Sequence, residues 1–279
     1  MNGPSTRASP PRRGGLCLDF APHSSRARQR RVEGLAQDFA PRTLPVGLYW
    51  HIIIETGRPA HQQMAFDEQL AREALPTVRF FSWESPAISL GWKQRPPTWA
   101  EELQGQKLAV TAVERPTGGG IAFHGSDLSL AVVVPRALDL SLECLMSAVC
   151  QSVVRLCQSY GADATACSQD VRATRVTYCL AETAPYTVLI DGRKVAGLAL
   201  RRYPGSWLIQ GSVLLYPLPR TLTQAIPQEV AESIDRCAIA LSEVVAVPLS
   251  AKDVARHWAS SWSSWWEEAL LTALGATCS

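Results

Sequence analysis

The sequence predicts an α+β fold in which strands joined by short turns outnumber a few helices. Three observations carry that expectation. Apolar, strand-like segments follow one another closely, with glycine or proline between them. Asp191-Gly192 stands between two such segments, a pair suited to a type I′ hairpin turn. Gly118-Gly119-Gly120 leads into an apolar strand, not a helix, which separates it from the phosphate loops of parallel sheets. Antiparallel hairpins dominate, so α+β is preferred to a doubly wound parallel sheet.

Taken in order, the first strand is expected over Leu48–Glu55. Met64–Leu75 reads as a helix, with Met64, Leu70 and Ala74 inward. Arg79–Trp83 and Ala87–Leu90 read as short strands around Pro86, closed by Gly91. Lys107–Glu114 is a strand that runs into the glycine loop, and Leu128–Pro135 is the strand that returns from it. Leu145–Tyr160 is the clearest amphipathic helix, with Val149, Val153, Leu156 and Tyr160 on one face and Gly161 as its stop. Tyr186–Ile190 and Lys194–Arg201 flank the Asp191-Gly192 turn, and Trp207–Tyr216 adds a further strand. Two helices finish the chain: Glu229–Val245, and a longer one opened by Ser250 with Asp253 three residues on. Trp258, Trp262 and Trp265 recur on the last helix at helical spacing and read as a core-facing stripe.

Composition excludes several classes. With 47% hydrophobic and 19% charged residues, the chain is an ordinary globular protein long enough for a full core. Its charge of +2 is unevenly placed. Eight arginines against three acids precede Pro45, a balance of +5 that leaves −3 for the rest. A mildly acidic body argues against a general nucleic-acid surface. Residues 1–45, rich in Pro, Gly, Ser and Arg, read as a disordered basic extension, compatible with an organellar transit segment, and 46–279 as the folded domain. No run approaches the roughly eighteen apolar residues of a membrane span, so a cytoplasmic setting is expected and no membrane partner. The eight cysteines show neither a zinc pattern nor a disulfide framework, and most read as buried thiols in a reducing compartment.

Two constellations point to chemistry. In Arg115-Pro-Thr-Gly-Gly-Gly…His124, the three glycines let backbone N–H groups approach a phosphate or a polarised carbonyl, although a plain hairpin loop fits the same residues. In Asp191-Gly-Arg-Lys194-Val-Ala-Gly197, strand parity puts Lys194 on one face with Ala196, Leu198 and Leu200. A lysine on an apolar face must be paired, ligand-bound or snorkelling. Gly197 allows something to approach closely. Cys179 precedes Lys194 by fifteen residues. A cation near a thiol favours the nucleophilic thiolate, but an extended hairpin sets Leu189, not Cys179, opposite Lys194. The two meet only where the Glu182–Pro185 loop folds back; otherwise Cys179 is a structural thiol. His124 reads as a residue that closes the loop, with a base as the other reading. Asp67 and Glu68 have no evident catalytic partner and read as structural.

These two motifs, together with Met64-Ala-Phe-Asp67-Glu, Trp83…Pro86-Ala-Ile-Ser-Leu-Gly91…Gln94 and Gln210-Gly-Ser-Val-Leu-Leu215, resemble the lipoate–protein ligase A family over about Tyr49 to Leu271. That family lies within the lipoyl/biotinyl ligase and octanoyltransferase superfamily. The resemblance implies a single domain with a central mixed, mainly antiparallel sheet flanked by helices. It implies Cys179 and Lys194 as catalytic residues, and Trp83, Arg115, Gly118, Gly119, Gly120, His124 and Gly197 as acyl- or substrate-binding residues, with no metal ligand.

The chain is similar to cysteine-dependent octanoyltransferases in the position of Cys179, counted back from Gly192-Arg-Lys194. Such enzymes need no cofactor. They take octanoyl from acyl carrier protein and pass it to a lipoyl domain, such as the glycine cleavage H protein or a 2-oxoacid dehydrogenase E2 subunit. The alternative is an ATP- and Mg²⁺-dependent lipoate–protein ligase, in which Lys194 contacts the acyl-adenylate and Arg115 and the glycine loop position its phosphate. A third reading is a non-catalytic member that binds acyl groups or lipoyl domains. It draws on two departures from the family pattern, Gly125 in place of Asp and Leu198 in place of Ser; a third departure is Leu180 in place of an aromatic residue.

Overall fold

The structure, a computed structural model, describes residues 49–105, 110–167 and 176–276. The expected disordered extension over 1–45, the start of the first strand at Leu48, and residues 107–109 of the expected strand before the glycine loop lie outside the described residues.

The first half of the chain runs β1 (His51–Arg58), α1 (Ala60–Glu73), β2 (Thr77–Trp83), β3 (Ala87–Leu90), α2 (Thr98–Gly105), β4 (Thr111–Glu114), β5 (Ala122–His124) and β6 (Asp127–Pro135). The second half adds α3 (Leu142–Ser159), β7 (Ala164–Ala166), β8 (Thr187–Ile190), β9 (Arg193–Arg202), β10 (Ser206–Leu214), α4 (Arg220–Thr223), α5 (Gln228–Cys237) and α6 (Ala251–Ala276). Seven strands form one sheet in the order β1-β2-β6-β10-β9-β8-β7. Its β1–β2 pair is parallel and the others are antiparallel. A second sheet, β4-β3-β5, joins β3 to β4 in parallel and to β5 antiparallel. The expected mixed, mainly antiparallel architecture is therefore present.

β6 explains why this sheet needs cover on both faces. Every residue of it except Pro135 is buried, as its apolar run Leu130–Val134 requires. Leu128, Leu130, Val132 and Val134 share the main core with α3 and α6, while Ala131 and Val133 pack with Met64 and Leu70 of α1. Ser141 caps α3 by accepting from the Cys144 N–H at 3.1 Å. Ser250 opens α6 by accepting from the Asp253 N–H, as the sequence predicts. No helix among the described residues is long and apolar enough to cross a membrane.

Three expectations are corrected. The tryptophan stripe on α6 is Trp258, Trp262 and Trp266, all fully buried, while Trp265 is half-buried. A spacing of four along the helix selects that set. The helix expected over Glu229–Val245 ends at Cys237, where Ala238 becomes extended and the Ile239 N–H donates to the Lys194 carbonyl at 3.0 Å. The segment contains no helix breaker; the acceptor on β9 ends it. Ala74 takes a left-handed conformation that closes α1, so it is not an inward helical residue. The strands β5 and β7, three residues each, are too short to show a period.

Candidate active site

A cavity lies between the two sheets. Its walls come from Phe81 and Trp83 on β2, Ser89 on β3, His124 on β5, Gly197 and Ala199 on β9, and Gln210 on β10, with Met64 of α1 and Cys179 and Leu180 at its edge. Apolar side chains make most of this lining, and a few polar groups converge within it, the usual composition of a ligand site.

Cys179 and Lys194 come together at Gly197, which lines the cavity. A methyl group built on Gly197 falls 3.1 Å from Lys194 Nζ and 3.4 Å from Cys179 Sγ, so both functional atoms meet over this glycine. Across the hairpin Lys194 does pair with Leu189, as expected. The turn is made by Asp191 and Gly192, both at positive φ. The contact with Cys179 comes from the loop that folds back. Lys194 Nζ donates to the Glu182 carbonyl at 2.9 Å, and the Glu182 carboxylate accepts from the Thr177 and Tyr178 N–H groups at 2.8 and 2.9 Å. The Cys179 N–H then donates to the Ile121 carbonyl at 2.7 Å, which ties the cysteine to the residue after the glycine loop.

Strand parity fails at Lys194. The register of β8 and β9 shifts between Val188 and Leu189, leaving Val195 as an extra residue in the pairing. This bulge turns Lys194 away from the face of Ala196, Leu198 and Leu200 and onto that of Gly197. Lys194 is 97% buried, and its ammonium lies beside Gly197, which lines the cavity.

Arg115 clamps the glycine loop. Its two terminal nitrogens donate to the carbonyls of Ser89 (2.8 Å), Gly118 (2.7 Å) and Gly120 (2.6 Å), and to Ser89 Oγ (3.1 Å). Burial pulls this guanidinium below its ordinary pKa, and the nearby Cys179 acts in the opposite sense. These hydrogen bonds hold the loop itself. Gly119 is at φ +90°, and a side chain there would press on the Arg115 guanidinium at 3.0 Å. A second brace reaches the loop from beneath. Thr117 Oγ1 donates to Gln210 Oε1 at 2.7 Å, and Gln210 Nε2 donates to Asp67 at 2.6 Å. Asp67 is paired with fully buried Arg79, so its structural reading agrees with its contacts.

His124 does close the loop region, in a fuller array than its sequence neighbours suggest. Its Nδ1 lies 2.9 Å from Asp127 Oδ2 and its Nε2 2.8 Å from Ser89 Oγ, and its ring stacks on Trp83 at 4.0 Å. Trp83 Nε1 donates to Ser129 Oγ, which donates to Asp127. Burial by itself would raise the Asp127 pKa. His124, the Gly125 N–H and Ser129 outweigh it and hold the carboxyl below the usual range. Asp127 thus supplies a carboxylate that Gly125 does not. Gly125 itself sits at φ +124°, where a side chain would meet Pro86.

Glu182, Ser89, Asp127 and Gln210 are site residues that sequence reading passed over. Ser89 and Gln210 lay inside quoted motifs; Glu182 and Asp127 carried only the weak signal of an acid beside a turn. Leu198 and Leu180, the two other departures, pack into the main core and the smaller one respectively. Among the described residues no group of three or more His, Cys, Asp or Glu side chains could hold a metal.

The family model for the lipoyl protein ligase A/B catalytic domain matches residues 59–263. The octanoyltransferase LipM of Halalkalibacterium halodurans is 26% identical over 227 residues, 74% of this chain and 82% of its own. That of Geobacillus kaustophilus is 25% identical over 219 residues, 71% of this chain and 79% of its own. Among solved structures, a lipoate-protein ligase A bound with ATP superposes with a TM-score of 0.59 at 19% identity, covering 80% of this chain and 93% of its own. The bi-partite lipoate protein ligase of Thermoplasma acidophilum, described with its E2 lipoyl domain, gives 0.57 at 19% identity, covering 81% and 92%.

Proposed function

Since the chain belongs to the lipoyl protein ligase A/B catalytic domain family, we propose that it is an octanoyltransferase that works through a thioester on Cys179. The observation that carries this reading is the convergence of Cys179 Sγ and Lys194 Nζ over Gly197 at an apolar cavity. The relatives named octanoyltransferase support it.

The acyl chain lies against Met64, Phe81 and Leu180. The Cys179 thiolate attacks the carbonyl carbon of an octanoyl thioester on acyl carrier protein. The carbon–sulfur bond to the carrier breaks, and the carrier leaves as a thiolate that takes up a proton. The Lys194 ammonium and backbone N–H groups of the glycine loop or Gly197 meet the charge that develops on the oxygen. A lysine amine of a lipoyl domain, such as an H protein or an E2 subunit, then attacks the Cys179 thioester. It loses a proton as the amide forms, and the cysteine thiolate is regenerated. No cofactor enters this cycle, and its free thiol suits a cytoplasmic, reducing setting.

Intact mass of an apo lipoyl domain tests the reading in two tubes. One holds octanoyl–acyl carrier protein without ATP; the other holds free octanoate with ATP and Mg²⁺. The expected outcome is acylation in the first tube and a thioester adduct on the enzyme that Cys179→Ala abolishes. Lys194→Ala should cut the rate by about 100-fold or more. Acylation confined to the second tube would make the protein a ligase and Cys179 a core thiol. No acylation in either tube would leave a binding role.

A further inference from the structure

Beside the glycine loop, where the Trp92 backbone N–H donates to the Thr117 carbonyl, one exposed indole carries two cations. The Arg201 guanidinium lies 4.2 Å from the Trp92 ring centroid and the Lys93 ammonium 4.4 Å from it. Arg201 also stacks at 4.9 Å on Tyr203 and donates to the Pro116 carbonyl at 3.0 Å, so it is held in place. Among the described residues neither cation is in an ion pair. Glu68, which reaches the Tyr203 hydroxyl at 3.4 Å, is itself paired with Arg72.

Lys93 stands at φ +57°, a conformation unusual for a long side chain. The turn that imposes it is closed by Gln94, whose N–H donates to the Gly91 carbonyl and whose side chain accepts from the Gly91 N–H. Two like charges gathered on one ring repel each other unless an anion joins them. A fixed guanidinium with unused donors is the group best suited to a phosphoryl oxygen.

Position selects which phosphoryl group. Gly197 marks the reacting sulfur, Ala199 lines the cavity, and Arg201 follows on the same strand face beside the glycine loop. Four strand residues separate the Arg201 and Gly197 backbones by about 13 Å. The phosphate of an acyl-adenylate is bonded directly to the acyl group and would lie close to Cys179. A phosphate at the far end of a pantetheine arm spans such a distance.

We propose that Arg201 and Lys93, carried by Trp92, form a phosphoryl-binding site beside the glycine loop that takes the phosphate of a phosphopantetheine-borne acyl thioester. The inference rests on the transferase reading and adds to it a site for the donor's arm.

Octanoyl-4′-phosphopantetheine and octanoyl-pantetheine differ only in that phosphate. Wild-type protein should form the Cys179 adduct with a kcat/KM about 10- to 100-fold higher for the phosphorylated donor, the range of a charge-assisted hydrogen bond. Arg201→Ala should bring the ratio of the two donors close to one, Lys93→Ala should lower it less, and Arg201→Lys should keep part of it. An unchanged ratio in Arg201→Ala would overturn the proposal. Calorimetric binding of 4′-phosphopantetheine, pantetheine and ATP needs no turnover, so it separates this site from the activity. Tighter binding of 4′-phosphopantetheine than pantetheine, lost in Arg201→Ala, sustains the site even if neither tube of the transfer assay reacts. If Arg201→Ala weakens ATP alone, the site belongs to a nucleotide and the pantetheine assignment is overturned.

Discussion

Gly197 shows how much of this site depends on one missing methyl group. A Cβ there would lie 2.9 Å from Lys194 Cε and 3.1 Å from Nζ. The crowded atoms are the end of a flexible side chain, so the fold can adjust while the ammonium is displaced. Gly197→Ala is therefore expected to lower kcat by about 100-fold with little change in the urea midpoint, the size of effect that a displacement of about 1 Å produces. Asp127 makes a different prediction. Its folded pKa lies below its unfolded value, so its contribution to stability is present above the unfolded value and lost as pH falls through the folded one. Urea unfolding of wild type and Asp127→Asn should differ at neutral pH, by about 1–3 kcal/mol, and the difference should begin to shrink as pH falls below about 4. The sequence named Cys179, Lys194, Arg115 and His124, because each stands in a motif. It did not name their partners. Asp127 meets His124 three positions away across the turn at Gly125, whereas Ser89, thirty-five positions away, becomes its neighbour only when β3 closes on β5.

Elements with a long period were legible, and the three-residue strands were not. α3 and α6 show repeated apolar positions over several turns, and the β8–β9 hairpin carries its own turn residues. β5 and β7 offer three residues each. The bulge at Val195 is not located by the sequence, where Lys194 on an apolar face and the interior Gly197 mark something unusual without placing it, yet it decides the face of Lys194. On α6, Trp262 is fully buried and meets the rings of Trp50, Phe80 and Trp266, on the side of the sheet away from the cavity. Trp262→Ala should cost about 3–5 kcal/mol and lower the melting temperature, while Cys179 adduct formation persists below that temperature. Loss of the adduct in folded Trp262→Ala would show that this core positions the site.

The whole molecule sorts its thiols by place. Cys144, Cys150 and Cys157 lie on the buried side of α3, where burial pushes Cys150 and Cys157 up to about 12, while Cys179 is partly exposed at the cavity. Iodoacetamide should label Cys179 in the folded protein and spare those three, as read by peptide mass. Prior incubation with the acyl donor should protect Cys179 and leave the partly exposed Cys237 reactive. The α+β class, the tight hairpin, the glycine loop and the candidate reactive side chains were all readable in the chain, since each is written in short local motifs. Three further facts came only with the folded sheets: Cys179 meets Lys194, Arg115 spends its donors on the loop beside it, and Arg201 stands next to Trp92. The first and the last depend on strand register, where a shift of one residue reverses the face that a side chain presents.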